Sequence, residues 1–166
     1  MPFSLQSPAF EQNGEIPSQY TCEGDDLSPP LCWADPPPGT VSYVLIVDDP
    51  DAPDPRAPKM TWVHWVLYNI PAMARELPEG VLPKGLPKGT LEGINDYHRT
   101  SYGGPCPPIG RHRYFFKLYA LSKQLPEFPN PTKKDIERAM EGAVLERVDL
   151  VGTYKKSSLQ NKEETQ

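Results

Sequence analysis

Twenty-two of the 166 residues are proline, and they stand between short apolar segments instead of forming a repeat. Proline is normally about 5% of a globular chain. It fixes φ and removes a backbone donor, so each one stiffens a connection and helps end the strand before it. With 12 glycines among them, the prolines predict many short strands joined by stiff loops, an all-β sandwich or barrel. The length suits one domain with a real core. That domain is expected over residues 1–154, with a polar, mobile tail over 155–166.

The apolar runs between the prolines carry this reading. Phe3–Phe10 and Leu31–Ala34 read as short strands. Val41–Val47 is a buried strand that should stop where Asp48-Asp49-Pro50-Asp51-Ala52-Pro53-Asp54-Pro55 begins. Thr61–Ile70 is apolar on both faces, so it is expected to be central, with Trp62, His64, Val66 and Tyr68 sharing one side. Arg111–Leu121 places His112, Tyr114, Phe116 and Leu118 together, and Val148–Tyr154 is a last strand. A single helical turn is expected near Met73–Glu76. Thr132–Glu146 is the one convincing helix, opened by a Thr132/Asp135 capping pattern and striped with Ile136, Ala139, Met140, Ala143 and Val144.

Charge and cysteine usage exclude some functions. A net charge of −5 disfavours nucleic acid as a partner. No segment approaches the ~20 apolar residues of a membrane helix, so stable insertion is not expected. The start, MPFSLQSPAF, lacks a basic n-region and an apolar h-region. The three cysteines, Cys22, Cys32 and Cys106, are an odd count without metal-ligand spacing, which fits reduced thiols and a cytoplasmic location. A Cys22–Cys32 bridge and a reactive Cys106 thiol are the alternatives. Glu23, Asp25 and Asp26 around Gly24 lack the regular ladder of a Ca²⁺ loop. His98 is expected to be exposed and is given no role.

The chemistry concentrates in three segments. Asp49 and Asp51 follow one strand, His64 lies in the next, and His112 with Tyr114 opens a third. Brought together at one rim of a sandwich, two imidazoles and a phenol would donate hydrogen bonds while the carboxylates raise the histidine pKa values. Such a set suits a small ligand bearing phosphate or carboxylate.

Asp-Pro-Asp-Ala-Pro at 49–53, Trp-x-His at 62–64 and Gly-x-His-Arg-Tyr at 110–114 resemble the phosphatidylethanolamine-binding protein family, also called the Raf kinase inhibitor protein family. The resemblance spans about Phe3 to Tyr154, and the Gly-Gly-Pro-x-Pro-Pro loop at 103–108 looks like its bacterial and archaeal branch. It implies a mainly β, antiparallel sandwich with one main helix near the C-terminus, short helical turns and a small anion pocket at one end. By position, Asp49, Asp51, His64, His112 and Tyr114 match the ligand-binding residues. Pro53, Trp62, Gly104, Pro105, Pro107 and Gly110 match the pocket wall. Arg113 matches an arginine expected to form a structural ion pair with a loop aspartate, and Ala52-Pro53 matches a cis peptide. Eukaryotic relatives have a C-terminal helix near the pocket and animal members have two adjacent histidines; this chain has a polar tail and Val63-His64.

The leading expectation is therefore a binding module for a small anion, acting through an unidentified protein partner, with a homodimer as one arrangement, and with no catalytic residue, metal or cofactor. A hydrolase using Asp49 and His112 as an acid/base pair is the alternative. No Ser in a nucleophile-elbow context and no phosphate-binding Gly-rich loop accompanies that pair. A zinc site from His64, His112 and a carboxylate is the third reading.

Overall fold

A computed structural model of the chain describes residues 2–81 and 83–157. Two antiparallel sheets face each other. The smaller contains β1 (Ser4–Gln6), β2 (Leu31–Ala34) and β5 (Glu76–Leu77), in the order β1-β2-β5. The larger runs β6-β4-β3-β7-β8, with β3 at Ser42–Ala52, β4 at Met60–Pro71, β6 at Leu91–Glu92, β7 at His112–Leu121 and β8 at Val144–Tyr154. Single 3₁₀ turns occupy Ser18–Tyr20 and Pro83–Gly85. The turn expected near Met73–Glu76 gives way to β5, where Glu76 and Leu77 pair with Cys32 and Leu31.

The two faces of the large sheet are buried by different means. One packs on the small sheet: Tyr43, Leu45, Trp65, Leu67, Phe116 and Leu118 meet Phe3, Leu5, Leu31, Trp33 and Leu77. The other, with Val44, Ile46, Val66 and Tyr68, is covered by Ile136 and Met140 of helix α1 (Lys133–Met140). Each such side chain contributes roughly 1.5–3 kcal/mol when fully buried, so this double covering holds β3 and β4 at the centre.

Two irregularities in β4 break the alternation expected from its sequence. Val47 pairs with Trp65, but Asp48 pairs with Val63, leaving His64 as an extra residue. Val63 therefore joins the helix-side core, while His64 lines a cavity and Trp65 packs between the sheets. A second shift falls between Tyr43 and Leu45, where Asn69 takes a left-handed φ of 55°. Its side chain accepts from Leu125 N (2.8 Å) and donates to Leu125 O (2.8 Å). Val66 and Tyr68 thus face the helix, opposite the side of His64.

Three other expectations are corrected. β3 does not stop at its acidic end: Asp49 pairs with Trp62 and Ala52 with Met60. Pairing with β7 ends at Asp48, so Pro50 sits where β3 keeps one neighbour, a position that tolerates proline. The helix ends at Met140, because Gly142 turns at φ 78° and Val144 onward joins a ladder with β7. Its start is as expected: Asp135 N donates to Thr132 Oγ1 at 3.2 Å and Thr132 N to Asp135 Oδ2 at 2.9 Å. Cys22 is joined to Cys106 across 84 residues, and Cys32 is a half-buried free thiol in β2, so the expectation of reduced thiols fails for two of the three cysteines, and neither a Cys22–Cys32 bridge nor a Cys106 thiol is present.

At the C-terminal end, Lys155 is buried and Ser157 donates to Glu23; the rest of the expected tail, 158–166, lies outside the described residues. Among the described residues no helix is long and apolar enough to cross a membrane.

Candidate functional site

A cavity of about 360 Å³ opens at one rim of the large sheet, within the size range of small-ligand sites. Asp49 from the end of β3, Trp62 and His64 from β4, and His112 and Tyr114 from the start of β7 converge there. The convergence follows from strand order. β3 is central with β4 and β7 on either side, so the acidic end of β3 meets the start of both neighbours. The peptide from Ala52 to Pro53 is cis, and Pro53 and Pro107 complete the expected wall.

Asp49 and His112 form a buried pair, with His112 Nδ1 2.6 Å from Asp49 Oδ2. The other ring nitrogen faces two carbonyls, Ile109 O at 2.8 Å and Pro53 O at 3.1 Å. All three partners are acceptors, so both ring nitrogens donate and the imidazolium is favoured. Burial opposes that charge, but the Asp49 carboxylate, helped by the Ile109 carbonyl and the Asp51 charge, outweighs it and raises the pKa.

His64 behaves oppositely. Its Nδ1 donates to Gly103 O at 2.6 Å, and the ring is fully buried. Burial pushes its pKa down against the raising effects of that carbonyl and of Asp49. The carboxylates act on His64 in the expected direction, raising its pKa, but desolvation outweighs them there.

Tyr114 supplies the site's most telling atom. Its ring stands edge-on to His64 at 5.2 Å and stacks on His112 at 6.3 Å. Its hydroxyl is buried with no hydrogen-bond partner, as is Trp62 Nε1. Burial and the nearby Asp49 charge push the phenol pKa far up, so the hydroxyl keeps its proton and remains a donor.

Other expected site residues lie outside the cavity. Asp51, assigned to the ligand, instead accepts from Arg113 through N (2.9 Å), Nε (3.0 Å) and Nη2 (2.8 Å). This is the ion pair expected of Arg113. β7 has left the β3 ladder at that point, and the Asp51 carboxylate takes the orphaned Arg113 N–H. Gly104, Pro105 and Gly110 do not line the cavity. Gly104 N donates to Asp26 Oδ1 (2.8 Å), Pro105 O accepts from Cys22 N (3.1 Å), and Gly110 turns at φ 72°.

Tyr97, Met60 and Cys106 line the cavity without having been expected. Tyr97 stands edge-on to Trp62 and donates to Gly104 O at 3.0 Å; burial raises its pKa to about 12. Its signal in the sequence was Asn95, whose side chain ties the loop by accepting from Tyr97 N and Arg99 N and donating to Ser101 O. His98 is exposed. Among the described residues no three His, Cys, Asp or Glu groups are placed to hold a metal ion. In this arrangement His112 has no free lone pair with which to act as a base on a bound molecule.

The chain is similar to known proteins over most of its length. A UPF0098 protein of Methanothermobacter thermautotrophicus is 47% identical over 154 residues, spanning 92% of this chain and 99% of the relative. A UPF0098 protein of Aquifex aeolicus is 47% identical over 155 residues, spanning 90% of this chain and 86% of the relative. The crystal structure of a phosphatidylethanolamine-binding protein homologue from Chlamydia trachomatis matches with a TM-score of 0.85 at 37% identity, over 93% of this chain and 98% of that one. E. coli YbcL, described as a member of the mammalian family, matches with a TM-score of 0.85 at 29% identity, over 95% of this chain and 100% of its own. The model of the phosphatidylethanolamine-binding protein family matches residues 6–155, and the chain belongs to that family.

Proposed function

We propose that this protein is a binding module for a small ligand bearing a phosphoryl or similar anionic oxygen group, held in the cavity at the rim of the large sheet. The observation that carries the reading is the Tyr114 hydroxyl, a buried donor without a protein partner at a cavity wall. Leaving such a group unpaired costs roughly 1–3 kcal/mol, and a ligand oxygen would recover it. The charge is balanced locally by Asp49 and His112, so recognition rests on a directed donor more than on net positive field. The names of the family and of its Chlamydia relative, which refer to phosphatidylethanolamine, point to the same ligand chemistry.

The test is a histidine and tryptophan NMR titration with O-phosphorylethanolamine and, separately, inorganic phosphate. The His112, His64 and Trp62 ring signals are expected to move together and saturate. No movement at millimolar concentration of either compound would remove the proposal.

A further inference from the structure

The Cys22–Cys106 bond joins two loops of very different character. Cys22 is exposed in the loop after Tyr20, whereas Cys106 is half-buried and lines the ligand cavity. On the N-terminal side of Cys106 the cavity loop is held by other contacts as well. Tyr102 donates its hydroxyl to Tyr20 O (2.8 Å), Gly104 N bonds Asp26, and Cys22 N bonds Pro105 O. On the C-terminal side the chain continues Pro107-Pro108-Ile109. The two prolines have no N–H with which to anchor it. The next tie is Ile109 O, which accepts from His112 Nε2.

We propose that the Cys22–Cys106 disulfide is a reducible latch on the cavity wall, opened by a dithiol reductant while the rest of the fold stays intact. The inference rests on the cavity being the ligand site. A thiolate of the dithiol attacks the sulfur of Cys22, the more exposed of the two residues, the sulfur–sulfur bond breaks, and Cys106 leaves as a thiolate that takes a proton. The second thiol of the reductant then displaces Cys22, closing its own disulfide. The protein disulfide gains two electrons and two protons, and the dithiol loses them. The segment from Cys106 to Ile109 is released, while residues 102–105 keep their hydrogen bonds. The cavity wall would loosen without melting either sheet.

The experiment uses the full chain carrying Cys32→Ser, to exclude shuffling, with and without dithiothreitol in native buffer. Alkylation and mass measurement count the thiols, and amide hydrogen exchange is followed by residue. Reduction is expected to occur without denaturant and to speed exchange at Cys106 and Ile109 about tenfold, leaving Gly104 and the β3 amides unchanged. Cys22→Ser, which does not alter a cavity residue, is expected to reproduce that exchange pattern. A disulfide that yields only in urea, or exchange unchanged within about twofold at Cys106 and Ile109, would overturn the latch. O-phosphorylethanolamine provides the separate arm. Weaker binding to the reduced form by about three- to tenfold supports the latch, and equal binding to both forms overturns it. No binding to either form removes the ligand assignment, and the exchange result then decides the latch alone.

Discussion

His112 donates through Nδ1 to Asp49 Oδ2 over 2.6 Å, and its Nε2 is met by carbonyl oxygens, so the ring is framed entirely by acceptors. His64, facing the same cavity, has a carbonyl at one nitrogen and a burial cost that its surroundings do not repay. One site therefore holds two histidines with opposite preferences.

These preferences predict opposite titrations. By NMR, His112 should titrate above the ordinary histidine value of 6.5 and His64 below it. The stability signs follow by linkage. The raised His112 contributes stability that is fully present below 6.5 and fades as pH rises through its own higher value. The lowered His64 does the reverse: its contribution is present above 6.5 and is lost as pH falls through its depressed value. Asp49→Asn should bring the His112 midpoint down, and an unchanged midpoint would contradict the pairing.

Tyr114→Phe separates binding from stability. The hydroxyl is buried without a partner, so its removal should leave the urea midpoint unchanged or raise stability by up to about 1 kcal/mol. The same change should weaken O-phosphorylethanolamine binding about tenfold, or ~1.4 kcal/mol. Equal binding by both proteins would show that the hydroxyl does not meet the ligand.

Asp51 and Arg113 should matter to folding and not to the ligand. Burial tends to raise the Asp51 carboxyl, but the bonds and charge from Arg113 hold it below its ordinary value of 3.8. That contribution is present above 3.8 and is lost as pH falls through the depressed value. Arg113→Ala is expected to cost about 1–2 kcal/mol in urea unfolding, a range kept small because the guanidinium is largely exposed. Ligand affinity should stay within about twofold, and a tenfold loss would place Asp51 back among the binding groups.

Asn69 tests the bulge that orients β4. Asn69→Ala loses two hydrogen bonds to Leu125 and leaves at φ 55° a residue without the polar side chain that helps Asn hold the left-handed region. The expected cost is about 2–4 kcal/mol. Asn69→Gly removes the backbone strain but not the lost bonds, so it should be milder by about 1 kcal/mol in the same unfolding measurement.

Much of the fold was written in local pattern. The prolines, the alternation in Arg111–Leu121 and the Thr132/Asp135 cap are features of neighbouring residues, and such features survive into the structure because nothing distant opposes them. The segments bearing Asp49, His64 and His112 could also be picked out, because carboxylates and imidazoles at the ends of apolar strands are visible one segment at a time. Distant contacts decided the rest. Val144 leaves its helical stripe because the ladder with β7 claims it, and His64 leaves the face of Val66 because β4 bulges against β3. Asp51 turns to Arg113 where β7 departs from β3, and Cys22 finds Cys106 across 84 residues. Sequence alone determined which groups were available. Only the packed sheets determined which of them face the cavity, because that depends on register, and register is a property of paired strands.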